Sequence, residues 1–442
     1  MTMSCDSRHI TVGLVFNSFS LGGLERIVAN LAKMLRDMGC HVVLLSALPA
    51  ETDFYPQPEG CERECIGTGK TQESVVQRQT ALKAAIKRHG IELLFFHSYF
   101  SMHLAEELAI AREAGAKSIV HVHGSVPGFF ARKRSRLDIE QQVAAFREAD
   151  AVIAISRAEC LLLRVLGVKA RYMPNPVFEV PEGFCHAAQT GHALVWVGRF
   201  DSAVKRPMDA VRIFELVAAR LPDATLTLVG DGKGAEEVRQ YLDERPTLAA
   251  SVRLTGKVRN VWEELAKADL MLLTSSMEGF PGCVAEAFAA GVPVVGYALE
   301  TVELCRNPEA YHAVPQESVS EAARVAGELL GNSEKLRDAS RAARSEFEKF
   351  KAYDQKESYR ALVADVETGQ CDVEIDEVDW RCEAIMKVLF GQACRGRMAS
   401  IAKIDELKRR LAARPSSVRG CIRYVLSRIW QLISRRPCTT RF

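Results

Sequence analysis

Short apolar runs recur along the first three hundred residues, separated by stretches with a longer period. The run over residues 10–16 reads as a strand, and a loop carrying Gly22-Gly23 follows it. Ile27, Leu31 and Leu35 then recur at the 3.6-residue spacing of a helix, and residues 41–45 form a second apolar run. Strand, helix, strand in that order is a βαβ unit, the building block of a parallel sheet. Runs at 91–96, 118–123, 151–156 and 170–176 continue the series, with helix-period segments between them. A stretch of small and polar residues, 177–192, then interrupts the pattern. The alternation restarts at 193–200 and proceeds through 225–230, 251–256, 270–275 and 292–297.

This pattern predicts two consecutive doubly wound α/β domains, at 1–180 and 190–350, joined by the interrupting loop. In such sheets ligands bind beyond the carboxyl ends of the strands, so two facing domains would place a cleft there. From 351 to 442 the pattern is mostly helical. Near its end Val418, Cys421, Ile422, Val425, Leu426, Ile429, Leu432 and Ile433 fall on one side of a helical wheel. Arg419, Arg423, Ser427, Gln431 and Arg435 fall mostly on the other.

Composition changes the picture in two places. The chain of 442 residues has a net charge of only +2, but residues 395–442 hold thirteen Lys and Arg against two Asp and Glu. The body is therefore acidic and the tail basic, which points to an anionic partner for 416–442. A helix lying on an anionic membrane surface and a helix docked on the protein's own core fit the tail equally. Nucleic acid fits it less well and is not taken as a partner. The 13 cysteines include no C-x-x-C pair and read as free thiols in a reducing compartment. With no leader-like or membrane-spanning apolar run, the expected location is the cytoplasm, with the tail as a tether to the inner face of the plasma membrane.

Candidate chemistry sits at the strand ends of the second half. Arg199 and Lys205, in "WVGRFDSAVKRP", suit a diphosphate, although two solvated cations would look the same. Gly22-Gly23 would let a loop run close to an anion at a helix N-terminus, or simply make a turn. "LVGDGKG", 228–234, matches only part of a dinucleotide glycine fingerprint and reads as a βα turn. In "SSMEGFPGCVAEAFAAGVPVVGY" two carboxylates, Glu278 and Glu286, stand with seven residues between them, across a turn carrying Gly279, Pro281 and Gly282. Carboxylates accept paired hydrogen bonds from vicinal hydroxyls, and the turn frees backbone N–H groups for phosphate. Such a pair suits the two sugars of a nucleotide-sugar.

Taken in order, "GGLER", "VGRF…K" and the E-x7-E run resemble the signature of GT-B retaining glycosyltransferases of family 4, over roughly residues 10–365. The resemblance implies the α/β GT-B fold: two facing Rossmann-like domains with a helical C-terminal extension. It implies transfer of a sugar, a hexose by this reading, from a nucleotide-sugar to an acceptor hydroxyl with retention. No cofactor and no metal ion would be needed, and no Asp-x-Asp motif stands in a strand-end loop. By the resemblance Glu286 holds the ribose, Glu278 faces the transferred sugar, and Arg199 and Lys205 grip the diphosphate. The backbone of Gly279, Phe280, Pro281, Gly282, Cys283 and Val284 lines sugar and phosphate. Lys257 and Val258 flank the base, and Gly22 and Gly23 approach the phosphate from the first domain.

His121 and His123 share one face of a strand, since side chains there alternate. His123 matches the family's histidine near the donor sugar, except that Gly124 stands where an acidic residue usually follows. His97, His103 and the basic run 131–136 are candidates for a phosphate-bearing or lipid-linked acceptor, in surface polysaccharide or lipid-linked glycan synthesis. Pro176, in "MPNPV", departs from the Asn-Gly common in the family. The alternative reading is a non-catalytic nucleotide-sugar-binding module or a membrane-associated scaffold.

Overall fold

The computed structural model describes residues 10–369 except 21, 98, 133–135, 178–179, 185–190 and 300, and not the side chains of 130–138. The basic tail 416–442 and the side chains of the basic run 131–136 thus lie outside the described residues. Two compact units emerge. One takes in the chain up to Asn175 and resumes at Asp354; the other is Pro176–Tyr353.

The first unit is a seven-stranded parallel sheet. Its elements are β1 (Thr11–Phe16), α1 (Gly23–Asp37), β2 (His41–Ser46), β3 (Glu62–Cys65), α2 (Gln72–His89), β4 (Leu93–Phe96), α3 (Leu104–Glu113), β5 (Lys117–Val122), α4 (Val126–Arg132), α5 (Arg136–Glu148), β6 (Ala151–Ala154), α6 (Arg157–Val165) and β7 (Ala170–Tyr172). The strand order is β3-β2-β1-β4-β5-β6-β7. Alternate residues feed opposite faces: Val12, Leu14 and Phe16 enter one core, Val15 the other. A sheet covered by helices on both faces needs such continuous apolar strands.

The second unit holds β8 (Ala193–Val197), α7 (Pro207–Ala218), β9 (Thr225–Val229), α8 (Ala235–Asp243), α9 (Pro246–Ala249), β10 (Val252–Gly256), α10 (Trp262–Leu265), β11 (Leu270–Leu273), α11 (Gly282–Ala290), β12 (Val294–Tyr297), β13 (Tyr311–Val314), α12 (Val319–Leu330) and α13 (Ser333–Lys351). Its six parallel strands run β10-β9-β8-β11-β12-β13. Leu270 and Leu272 of β11 enter one core while Met271 and Leu273 enter the other. In both sheets the chain winds outward from a central strand in one direction and then reverses. The break in order falls between β1 and β4 in one sheet and between β8 and β11 in the other. Crevices for ligands form at such switch points.

Two edge strands, β3 and β13, were not expected. "EREC" carries no apolar alternation, because an edge strand exposes much of itself and its pattern gives no periodic signal. The expected extension from 351 begins with α14 (Gln355–Thr368), which belongs to the first unit. Tyr359, Leu362, Val363 and Val366 form its buried stripe and join the core of Leu14, Val42 and Phe95. Asp365 pairs with Arg171, and Gln355 Nε2 donates to the Pro174 carbonyl at 2.8 Å.

Helices α2 and α3 are joined by a buried ion pair. Arg78 Nε lies 2.6 Å from Glu107 Oε1, and its Nη1 donates to the Gly67 carbonyl at 2.6 Å. Both side chains are almost fully shielded. Removing one partner strands the other charge in the interior, which costs about 3–5 kcal/mol. Glu107→Ala is therefore expected to lower the unfolding free energy by that order in a urea titration. Glu113→Ala, which breaks an exposed pair with Lys83, is expected to cost under about 1 kcal/mol.

Candidate active site

In the second unit Lys205 and Glu278 meet beyond the carboxyl ends of β8 and β11. Residues 201–206 form a tight loop after β8. Asp201 carries it: its carbonyl accepts from Lys205 and Arg206 N–H, and its Oδ1 from Ala203 and Val204 N–H. The loop is then tied to the segment after β11. Thr274 Oγ1 donates to the carbonyls of Lys205 and Arg206, at 2.8 and 2.9 Å, and accepts from Trp196 Nε1 at 2.9 Å. Ser276 N–H donates to the Val204 carbonyl at 2.7 Å. These bonds bring residue 205 beside residue 278 although 73 positions separate them.

Lys205 Nζ donates to Glu278 Oε1 in a largely shielded ion pair. Burial by itself favours the neutral amine, but the Glu278 carboxylate outweighs it and raises the Lys205 pKa above its usual value; Arg199 acts against this. Arg199 is exposed. Glu286, on the second turn of α11, is buried. Cys283 lies within electrostatic reach of Lys205, Glu278 and Glu286, and burial pushes its thiol up to about 12. Helix α11 begins after Pro281, with no side chain capping its N-terminus. An uncapped helix start beside two cations is a place for an anion. Phe280 stacks edge-on against Phe350 at 6.0 Å. Val258 joins the core under α11, and Lys257 is exposed just after β10.

Gly22, Gly23 and His123 belong to the first unit. Gly22 precedes α1 in an extended conformation, and a side chain there would run into Glu25. His97 follows β4, and its Nδ1 lies 2.8 Å from His123 Nε2. The His121 and His123 rings are 3.8 Å apart. Burial pushes the pKa of His97 down to about 3, and those of His121 and His123 well below the ordinary value; the neighbouring rings add to this. Asn175 lies near enough to oppose the shift in part, yet its Oδ1 makes no hydrogen bond. A buried polar atom left unpaired costs about 1–3 kcal/mol. Gly124, in place of an acidic residue, lets Tyr99 approach: a Cβ there would stand 2.8 Å from the Tyr99 hydroxyl. His103 heads α3 and is not part of this cluster.

The comparisons with known proteins bear on this geometry. Residues 191–332 match the family model for glycosyl transferases group 1, and residues 21–178 match that for glycosyltransferase family 4. The chain belongs to the GT-B group 1 glycosyltransferases. An exopolysaccharide phosphotransferase of Streptomyces coelicolor is 32% identical over 190 residues, covering 42% of this chain and 20% of the relative. The N-acetyl-alpha-D-glucosaminyl L-malate synthase of Bacillus anthracis is 33% identical over 165 residues, covering 37% of this chain and 43% of the relative. The chain thus spans less than half the length of either. Among solved structures, the chain superposes on sucrose-phosphate synthase from Thermosynechococcus elongatus with TM-score 0.66 and 19% identity. That match covers 80% of this chain and 100% of the other. Anabaena HepE in complex with UDP-glucose gives 0.67 at 16% identity, covering 80% and 100%. At such identities the likeness is one of fold.

Two features of the second unit escaped the sequence. The glycines of 228–234 do more than turn the chain. Gly230, at φ 131, lies so close to the Gly198 carbonyl that a Cβ would overlap it, and Gly232, at φ 153, faces the Phe200 backbone. Phe200 N–H donates to the Asp231 carbonyl at 3.0 Å, and Gly234 N–H to the Phe200 carbonyl at 2.8 Å. The glycine loop therefore sets the backbone on both sides of Arg199. Arg206 is the second feature. It takes a left-handed conformation, φ 53, and its guanidinium pairs with Asp209 at 3.0 Å and Glu317 at 2.8 Å.

Gly230→Ala is expected to cost more than about 2 kcal/mol, from the combined backbone strain and overlap, read as a fall in urea midpoint. Gly282, whose Cβ would meet nothing within 4 Å, is the matched control. A thiol held at about 12 is almost wholly protonated at pH 8. Peptide mapping after native iodoacetamide treatment at that pH should find Cys283 unmodified and the exposed Cys65 alkylated.

Proposed function

We propose that the protein is a retaining hexosyltransferase that moves a sugar from a nucleotide-sugar to an acceptor hydroxyl. The observation that carries this is the ion pair of Lys205 and Glu278 beside the uncapped start of α11, with Arg199 and Glu286 around it. A nucleotide-sugar presents the matching groups in order: ribose hydroxyls for Glu286, a diphosphate for Arg199 and Lys205, and sugar hydroxyls for Glu278. As the bond from the sugar to the diphosphate breaks, negative charge grows on the leaving oxygen. Arg199, Lys205 and the α11 backbone are disposed to stabilise it without a metal ion at the diphosphate. The donor would take over both members of the ion pair, phosphate replacing Glu278 at Lys205 and hydroxyls replacing Lys205 at Glu278. Gly279 to Val284 line the same groups, and Lys257 and Val258 flank the base. Glu278 has no covalent role in this reading.

Membership of the group 1 family supports the activity, and HepE, solved with UDP-glucose, suggests the first donor to try. Relatives named for exopolysaccharide and poly(glycerol-phosphate) chemistry support an acceptor in surface polysaccharide or lipid-linked glycan synthesis. Among the described residues no helix is long and apolar enough to cross a membrane. The basic residues 416–442 would hold the enzyme at an anionic inner membrane surface where such acceptors sit.

A screen of nucleotide-sugars by thermal shift, followed by turnover with the best binder, tests the reading. Lys205→Ala and Glu286→Ala are each expected to lower kcat/KM by about a hundredfold or more while the near-UV circular dichroism is retained. Near-normal turnover in either variant would refute the site. Donor binding without any transfer or hydrolysis would instead make the protein a binding module.

A further inference from the structure

Residues 201–206 lie in no helix or strand, yet their backbone groups find partners. Asp201 takes up the N–H groups of 203 to 206 with its carbonyl and its Oδ1. These bonds fix the shape of the loop but tie it to nothing outside itself. The successive carbonyls of Ala203, Val204, Lys205 and Arg206 are all met by two residues beyond β11. Ser276 Oγ donates to Ala203 at 3.1 Å and Ser276 N–H to Val204 at 2.7 Å. Thr274 Oγ1 donates to Lys205 at 2.8 Å and to Arg206 at 2.9 Å. Carbonyls shielded from water need such partners.

Thr274 and Ser276 are buried, and Glu278 stands two residues further along the same segment. Lys205 and Glu278 are 73 positions apart in the chain, but their relation passes through this one short stretch of backbone.

We infer that Thr274 and Ser276 are positioning residues, which aim the Lys205 ammonium at the charge that develops on a leaving phosphate. Each acts through the backbone of the Lys205 loop. The ammonium stands on a flexible carbon stem, so it is placed only as well as the backbone beneath it. A displacement of about 1 Å at a group that stabilises developing charge costs about a hundredfold in rate. The hydroxyl at 274 suits the task because it donates and accepts at once. It gives its proton to the loop and takes the indole N–H of Trp196 at 2.9 Å. Valine has nearly the same shape and can do neither; serine can do both. The kinetic consequence rests on the transferase reading, whereas the placement of Lys205 does not, so the two are measured separately.

Wild-type protein is compared with Thr274→Val, Thr274→Ser, Ser276→Ala and Ser340→Ala. Ser340→Ala removes a buried hydrogen bond to the Gly291 carbonyl, at the other end of α11, and controls for lost stability alone. The first readout needs no substrate. It is the rate at which an N-hydroxysuccinimide ester acylates Lys205 at pH 8, followed by mass spectrometry against the exposed Lys267. A paired and shielded ammonium of raised pKa reacts slowly. Lys205 is expected to react slowly in the wild type, Thr274→Ser and Ser340→Ala, and several times faster in Thr274→Val. The second readout is kcat/KM with the best nucleotide-sugar donor. It is expected to fall by about tenfold or more in Thr274→Val and to recover most of that loss in Thr274→Ser. Ser276→Ala keeps its N–H bond and is expected to move both readouts the same way by less; it carries the test if Thr274→Val does not fold. Unchanged labelling and turnover in the folded variant, or an equal loss of turnover in Ser340→Ala, would overturn the inference. Faster labelling in Thr274→Val, with no transfer from any nucleotide-sugar by the wild type, would support the placement of Lys205 and count against the transferase reading.

Discussion

The threonine that follows β11 holds the candidate active site together. Thr274 has one hydroxyl proton and spends it on two carbonyls of the β8 loop, while its oxygen receives the indole N–H of Trp196 from within β8. The two strands are already neighbours, with Leu270 to Leu272 paired to Leu194 to Trp196. The hydroxyl converts that pairing into a fixed relation between the loops beyond the strands. Lys205 can then lie against Glu278 at small entropic cost, because the backbone carrying each is already immobile. Without that tie, two partly shielded charges would each face a desolvation penalty alone.

The surrounding charges are graded by exposure. Glu286 is buried within α11, Lys205 and Glu278 are mostly shielded, and Arg199 is open to solvent. A ligand carrying two phosphate charges would meet the exposed guanidinium first and the shielded ammonium after it. Cys283, half-buried by its surface area, carries the mark of these charges. Its thiol is driven up by burial and by both glutamates, and Lys205 offsets only part of that. The site thus keeps its lysine charged and its thiol neutral, a combination suited to holding an anion rather than to attacking a carbon.

The buried strands were legible because parallel sheets demand largely apolar runs, and β1, β2, β4, β6, β8, β11 and β12 have them. The approach of Lys205 to Glu278 was legible for a related reason: both stand in strand-end loops, and strand ends of one sheet are neighbours. What could not be read was anything fixed by contact rather than by pattern. Nothing in "LVGDGKG" says that Gly230 abuts the carbonyl of Gly198, because that approach depends on the register of β8 and β9. The sequence placed His121 and His123 on one face, but the meeting of His97 with them follows from the β4–β5 register. Asn175 was passed over beside the more conspicuous Pro176, although it is Asn175 that turns inward.

Arg206 illustrates how local strain is tolerated where function concentrates. A non-glycine residue in the left-handed region costs about 1–2 kcal/mol, and the following Pro207 further limits its choices. Glycine would remove the penalty, so an arginine at this position must return something. Its guanidinium binds Asp209 and Glu317, and Tyr297 donates to Asp209 at 2.8 Å beneath it. Glu317 is the other described non-glycine residue at positive φ, 67°. Two strained residues are thus bound to each other across the loops that follow β8 and β13, and each keeps the other in place. Lys205, one residue before Arg206, lies in the same loop, held by Asp201 and Thr274.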